Sequence, residues 1–160
     1  EVGIEMYGDK GLAGGMSWYK SADHKPSVVF RPYEPPAQEP SAEFPFWFCT
    51  GRLLEHWHTG TMTRRVEELD RALPEALLSM NAEDAAALDV NDGDMVQLTS
   101  PHGTMQIKVS LAGRVEPPSG MVFAPFFAAE TLINRVVQDY YCPLSKETDY
   151  KKTCVSIKKA

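Results

Sequence analysis

Two runs of alternating apolar and polar residues, separated by a short turn, constrain the fold of this chain more than any other feature. The first run covers residues 95–100, the second covers residues 104–111, and Pro101-His102-Gly103 lies between them. Because successive side chains of a strand point to opposite faces of a sheet, this alternation predicts a β-hairpin with one buried face.

Short apolar runs between turn residues predict further strands, at residues 44–48, 76–80, 121–125 and 153–157. Two short helices are also expected. One begins at Thr63 as its N-cap, runs through Arg71 and ends before Pro74; the other covers residues 82–88 with Asn81 as its N-cap. Residues 131–137 allow a third. Many short strands, few helices and frequent turns predict a mainly β fold, a barrel with small helical insertions.

The first 43 residues differ from the rest of the chain. Six of the twelve prolines fall within the first 46 residues, and five glycines lie within the first 15. Prolines at this density interrupt both helices and strand ladders, so residues 31–42 are expected to be an extended connector, with one short strand before it at residues 27–30. We therefore predict a Pro/Gly-rich arm or linker at residues 1–43 and a folded domain at residues 44–160.

Charge and composition exclude several classes of protein. A net charge of −6 and a pI near 5.2 argue against a general nucleic-acid binder, and no apolar run is long enough for a membrane span. The three cysteines form no CxxC pair and show no metal-finger spacing. The chain begins with Glu1 and not with methionine, so we expect a processed product or a piece of a longer protein.

Residues 49–65, with the sequence CTGRLLEHWHTGTMTRR, concentrate groups that bind anions. Glycine lets a phosphate approach the backbone N–H groups, threonine hydroxyls donate to its oxygens, and arginine forms paired charge-assisted hydrogen bonds. The alternative is a solvated, moderately basic loop. The density of donors in an otherwise acidic chain favours a site for a polyanion.

Other sites are less well supported by the sequence. His56 and His58 with Cys49 or His102 could be proposed as a zinc site, but their spacing is not typical of one, and packing beside Trp57 is the better interpretation. No GxSxG nucleophile motif is present.

Two polar positions outside residues 49–65, the segment called the motif below, are also candidates for binding. Asn134 lies in an otherwise apolar segment, where a buried amide would have to be hydrogen-bonded and could recognise the edge of a heterocycle or cap a turn. Lys151 and Lys152, just before the last predicted strand, could bind phosphate or a pterin, or could be solvated.

The order of residues in the motif resembles a known family. Residues 50–65, TGRLLEHWHTGTMTRR, are similar to the motif of the C-terminal molybdopterin-dinucleotide-binding domain of periplasmic (dissimilatory) nitrate reductase catalytic subunits. RPYEPP at residues 31–36 precedes the motif; PPSGMVFAPFF at residues 117–127 and PLSKETDYKK at residues 143–152 follow it. The resemblance covers about residues 28–158.

This resemblance implies a double-psi β-barrel of the aspartate-decarboxylase-like type, with short helices and an extended N-terminal arm. It also implies a bis(molybdopterin guanine dinucleotide) molybdenum cofactor and reduction of nitrate to nitrite, with electrons from an iron–sulfur cluster that belongs to a missing N-terminal part. Transferred by position, cofactor contacts fall on Thr50, Gly51, Arg52, Leu53, Leu54, Glu55, His56, Trp57, His58, Thr59, Asn134 and Lys151. Phe126 would line the substrate side.

The same resemblance implies partners. These are the remaining domains of the catalytic subunit and a cytochrome electron-donor subunit, in the periplasm. Because the family's molybdenum-ligating cysteine lies in an earlier domain, this chain carries no catalytic or metal-binding residue of its own and is expected to be inactive alone. Two alternatives remain open: a domain of another molybdopterin oxidoreductase acting on formate or another oxo-substrate, and a stand-alone double-psi barrel that binds proteins.

Overall fold

Six short strands close into a barrel in the computed structural model, which describes residues 30, 32–143 and 145–160. The strands are β1 (Phe46–Gly51), β2 (Leu78–Met80), β3 (Met95–Ser100), β4 (Gly103–Ser110), β5 (Met121–Pro125) and β6 (Thr153–Lys159). Two α-helices, α1 (Glu67–Ala72) and α2 (Ala82–Ala87), and two 3₁₀ turns, Thr63–Arg65 and Ile133–Arg135, connect them. The predicted mainly β barrel with short helices is confirmed.

The strands follow one another around the barrel in the order β1-β5-β2-β4-β3-β6. The pairs β1–β5 and β2–β4 are parallel, and the other four pairs are antiparallel. Because the sheet closes on itself, neither of its edges is left exposed. In the described part of the chain, no helix is both long and apolar enough to cross a membrane.

The hairpin predicted from the alternating pattern is confirmed as β3 and β4, with Ser100 opposite Gly103 and Val96 opposite Ile107. Val96, Leu98 and Ile107 are buried in the core, whereas Met95 is 42% exposed. The alternation therefore assigns the buried face correctly, with Val96 and not Met95 as its first member.

The predicted boundaries of β1 were wrong by a few residues. The apolar run suggested a strand at residues 44–48 and a break at Thr50-Gly51, but β1 runs from Phe46 to Gly51. The ladder with β5 continues past the apolar run, since Thr50 pairs with Ala124 and Gly51 with Pro125. Thr50 therefore points into the barrel and is 4% exposed.

The helix predicted from Thr63 to Arg71 is divided into the 3₁₀ turn Thr63–Arg65 and α1, because Val66 between them is extended (φ −95°, ψ 109°). Thr63 does not cap it; its hydroxyl contacts His56 and the Trp57 N–H instead. The cap at Asn81 is confirmed, with the side chain accepting from Glu83 N at 2.9 Å.

The predicted arm at residues 1–43 and folded domain at residues 44–160 stay a prediction. The chain forms two compact units, residues 1–34 and residues 35–160. The predicted strand at residues 27–30, apart from Phe30, and most of the predicted arm lie outside the described residues. In the second unit, Gln38 Oε1 accepts from Cys154 N at 3.2 Å, and the Gln38 amide nitrogen lies 3.3 Å from His102 Nε2.

A side chain at Gly103 is predicted to destabilise the barrel, because a Cβ there would overlap the backbone oxygen of Arg135. Gly103→Ala should lower the free energy of unfolding by about 1–3 kcal/mol, measured from urea unfolding midpoints. Gly113→Ala is the matched control, since the atoms nearest to its Cβ would be two side-chain hydroxyls, that of Ser110 at 3.3 Å and that of Ser79 at 3.5 Å. Equal stability of the two variants would contradict the close approach.

Candidate functional site

One end of the barrel brings three distant segments together. Because β1 and β5 are parallel, the segments that follow them leave the barrel at the same end. Strand β6 is antiparallel to β1, with Phe48 opposite Thr153, so the segment that precedes β6 lies at this end as well. This end therefore carries residues from the motif, the Phe126 region and the Lys151 region.

Thr50 and Lys151 are brought into direct contact across 101 positions of the sequence. Lys151 Nζ donates to the backbone oxygen of Thr50 at 2.7 Å, and the Thr50 hydroxyl donates to the backbone oxygen of Tyr150 at 3.0 Å. An ammonium group has three N–H donors, so Lys151 keeps two for a ligand. Lys152, the other candidate, instead pairs with Asp149 at 3.0 Å.

Gly51, the last residue of β1, is a close-approach glycine. A Cβ at this position would lie 2.7 Å from the ring of Phe123. The absence of a side chain lets the aromatic ring of β5 lie against the strand end that leads into the motif.

A row of planar side chains follows Gly51. The Arg52 guanidinium carbon lies 5.9 Å from the centre of the Phe126 ring, and Arg52 Nη2 lies 3.3 Å from His58 Nδ1. The Trp57 ring packs edge-on against His58 with 4.6 Å between ring centres, and Trp57 is 60% exposed. These groups present a cation and accessible aromatic surface to solvent, which suits a planar anionic ligand.

His56 has a different environment from its neighbours and is 2% exposed. Its Nε2 lies 2.7 Å from the backbone oxygen of Leu73, which can only accept, so Nε2 carries the hydrogen. In this tautomer Nδ1 accepts from the Thr63 hydroxyl at 3.2 Å, and that hydroxyl accepts from Trp57 N at 3.1 Å. The ring also packs on Phe127, 4.2 Å between centres. His56 therefore fixes the shape of the loop from inside.

The remaining motif residues divide between solvent and the interior. Leu53 forms an isolated bridge with His56, and Leu54, at the turn between them, is 90% exposed. Glu55 is buried and pairs with Arg114 at 2.5 Å. Thr59 is exposed. Of these four, Leu54 and Thr59 are open to a ligand, whereas Glu55 is engaged within the protein.

Arg64, which the sequence did not single out from the other motif arginines, joins two segments of the site. Its guanidinium donates to Asp70 at 3.1 Å and to Glu130 at 3.2 Å, and it lies 5.9 Å from the Phe127 ring centre. Hydrogen bonds to Asp70 and Glu130 raise the pKa of Arg64. The pKa of the Glu130 carboxyl is lowered, mainly by a hydrogen bond from the backbone N–H of Glu130 and to a smaller extent by the hydrogen bond from Arg64.

Asn134 is exposed on the second 3₁₀ turn, so its amide is not buried, and its proposed contact with a cofactor stays a prediction. A turn of three residues replaces the longer helix allowed for residues 131–137 and leaves Asn134 on its outer side. The buried amide of this region is Gln138, which is 2% exposed. Its sequence context gave no signal, because a glutamine after two valines follows no helical or strand period.

The proposed zinc grouping does not assemble in the described part of the chain. Within that part, no three His, Cys, Asp or Glu side chains lie close enough to hold a metal ion. Both ring nitrogens of His56 are engaged by Leu73 and Thr63, and His102 lies beside Gln38.

Comparisons with known proteins agree with this arrangement. The family model described as "Molydopterin dinucleotide binding domain" matches residues 46–155. Among solved structures, the chain is similar to acetylene hydratase from Pelobacter acetylenicus, with a TM-score of 0.63 and 14% sequence identity over 73% of this chain. The chain spans 18% of the length of that protein, and a likeness at this identity shows the fold alone.

Removal of the Arg64 guanidinium is expected to loosen the site more than removal of its neighbour. Arg64→Ala should lower the free energy of unfolding by about 1 kcal/mol, since both ion pairs are partly exposed. The exposed Arg65, with no ion pair in the described part of the chain, is the control, and Arg65→Ala should change stability by less than about 0.5 kcal/mol. A loss for Arg64→Ala that stays the same at high salt would argue against the ion pairs.

The two histidines of the motif are expected to respond differently to the same substitution. His56→Phe keeps a ring against Phe127 but leaves the Leu73 oxygen and the Thr63 hydroxyl without their partner, and should cost about 2 kcal/mol of stability. His58→Phe, at an exposed position, should cost less than about 0.5 kcal/mol. Thermal and urea unfolding of both variants tests this, and similar costs would show that His56 is not a structural residue.

Proposed function

The chain belongs to the molybdopterin dinucleotide binding domain family, and on that premise we propose that it is the part of a molybdenum nitrate reductase that holds a bis(molybdopterin guanine dinucleotide) cofactor. The other domains of that enzyme would supply the metal ligand and the iron–sulfur cluster. A cytochrome electron-donor subunit and a periplasmic location are part of the same proposal.

One observation supports the site more than any other. Arg52 and Lys151 lie at the same end of the barrel, and neither has a carboxylate partner among the residues that the structure describes. Arg64, Lys108 and Lys159 are paired with carboxylates, whereas Arg65 and Lys158 also lack an ion pair in the described part of the chain. The support therefore comes from the position of Arg52 and Lys151 at the barrel end that carries Phe126 and Trp57. Cations left unpaired beside exposed aromatic rings fit a ligand with phosphates and a planar ring system.

The donor set of the chain therefore fits a dinucleotide cofactor. Lys151 would donate its two remaining N–H groups to phosphate oxygens, and the guanidinium of Arg52 would bind a further anionic group. Trp57 and His58 would pack against a planar ring. Thr59 is exposed and would donate its hydroxyl, while His56 and Glu55, both buried, would hold the loop in place.

When bound, the molybdenum cofactor supplies the redox chemistry, and this chain orients it and shapes its surroundings. Phe126 is half-buried beside Arg52 and would line the substrate side, excluding water from a small anion. Nitrate is proposed as that anion on the basis of residues 50–65, in which His56-Trp57-His58 favours nitrate reductase over related enzymes that act on formate or other oxo-substrates.

Binding of GMP by the 160-residue chain tests the site. Lys151→Ala should weaken binding by about tenfold, because a charge-assisted hydrogen bond contributes roughly 1.5–3 kcal/mol. Lys158→Ala is the matched control, since Lys158 is exposed on β6 and has no ion pair in the part of the chain described. In a second pair of variants, Arg52→Ala should weaken GMP binding and Arg65→Ala should not. Calorimetry measures the affinity for GMP in all four variants.

The outcomes separate the candidate functions. GMP binding that depends on Lys151 and Arg52 supports the cofactor site, whereas an absence of binding favours the stand-alone protein-binding module. The substrate is tested on the whole enzyme that contains this domain, by its reduction of nitrate with a viologen donor. Turnover of formate without turnover of nitrate would replace the proposed reaction but leave the cofactor site in place.

A further inference from the structure

Gln138 is a buried amide whose two polar atoms have different environments. Its Nε2 donates to the backbone oxygen of Asp149 at 2.8 Å, whereas its Oε1 is buried and accepts no hydrogen bond from any residue that the structure describes. Exchanging the two atoms would place Oε1 against the Asp149 oxygen, an unfavourable contact of two acceptors. The Asp149 oxygen therefore fixes the orientation of the amide.

Stability does not account for an amide at this position. A buried acceptor without a partner costs free energy, and this cost offsets the gain from the single hydrogen bond of Nε2. A methionine, which has similar length and no polar hydrogen-bonding group of comparable strength, would avoid the cost. What the amide does provide is a fixed position for the backbone of Asp149.

Gln138 holds both ends of the segment that carries Lys151. Its backbone N–H donates to the Thr153 hydroxyl at 2.9 Å, and its side chain holds Asp149. Between these two points, the Tyr150 oxygen accepts from the Thr50 hydroxyl, and Lys151 Nζ reaches the Thr50 oxygen. The backbone on either side of Lys151 is thus fixed relative to the end of β1.

We propose that Gln138 is a positioning residue for Lys151, which directs the lysine ammonium toward the end of β1 where an anionic group of the cofactor binds. The inference rests on the proposed function. A lysine side chain loses much conformational freedom when it is held in one place. Fixing residues 149–153 before binding reduces the entropy that the ligand must overcome. Gln138 is itself buried, so it would act through the backbone of Asp149, whose oxygen its amide holds.

A double-mutant cycle on the 160-residue chain tests this role, with GMP as the probe and calorimetry as the measurement. Gln138→Met should weaken GMP binding about fivefold, a typical effect for one hydrogen bond, while the urea midpoint stays unchanged. In the Lys151→Ala background, Gln138→Met should have no further effect, because Gln138 acts only through Lys151.

Gln97→Met is the matched control. Gln97 is exposed on β3 and its amide donates to Thr99 of the same strand at 3.4 Å, so GMP binding should not change. Equal weakening by Gln138→Met with and without Lys151 would show a general structural role and overturn the proposal, as would no weakening in either background.

Two further measurements keep the test decisive. If Gln138→Met does not fold, Gln138→Asn replaces it in the same cycle, because the shorter amide cannot reach the Asp149 oxygen. If the unsubstituted chain does not bind GMP, the proposed function fails, and the amide resonances of Thr50 and Lys151 then test the positioning role separately. Resonances displaced by Gln138→Met, but not by Gln97→Met, support that role; unchanged resonances overturn it.

Discussion

The parallel pairing of β1 with β5 is the constraint on which the site depends. Parallel neighbours in a sheet must be linked by a crossover, so the two strands lie far apart in sequence, with Thr50 paired to Ala124, yet end side by side. The strand pairing therefore places the segment that follows β1 beside the Phe126 segment that follows β5. The antiparallel pairing of β6 with β1 adds the Lys151 segment by the same geometry.

Within the motif, buried and exposed residues have different tasks. His56 forms hydrogen bonds with Leu73 and Thr63, and Glu55 forms an ion pair with Arg114. These contacts give the loop a defined shape. Trp57 and His58, which follow them directly in the chain, remain accessible. A loop built in this way can hold its binding groups in position before the ligand arrives, which lowers the entropic cost of binding. The sequence does not show which residues are buried, because His56 and His58 are the same residue type and both adjoin Trp57.

Local patterns predicted much of the fold, and long-range contacts explain where they failed. The β3–β4 hairpin and the Asn81 cap depend on neighbours within a few residues, so alternation and capping chemistry were sufficient. The helix at Thr63 failed because its hydroxyl is used by His56, a choice that depends on tertiary packing. Asn134 and Gln138 could not be distinguished from sequence, since only the folded chain shows which amide is buried.

The charge of the chain and the charge of its site oppose each other. A net charge of −6 repels a polyanion at long range, so steering by the overall field cannot draw such a ligand to the barrel end. Surface charges are screened beyond roughly 8 Å at physiological ionic strength, and the contacts proposed for Arg52 and Lys151 would act within that distance. Affinity at this site must then come from groups held at short distance in the correct geometry. If Lys151 binds the ligand as proposed, the hydrogen bonds that fix it would matter more here than they would in a basic protein.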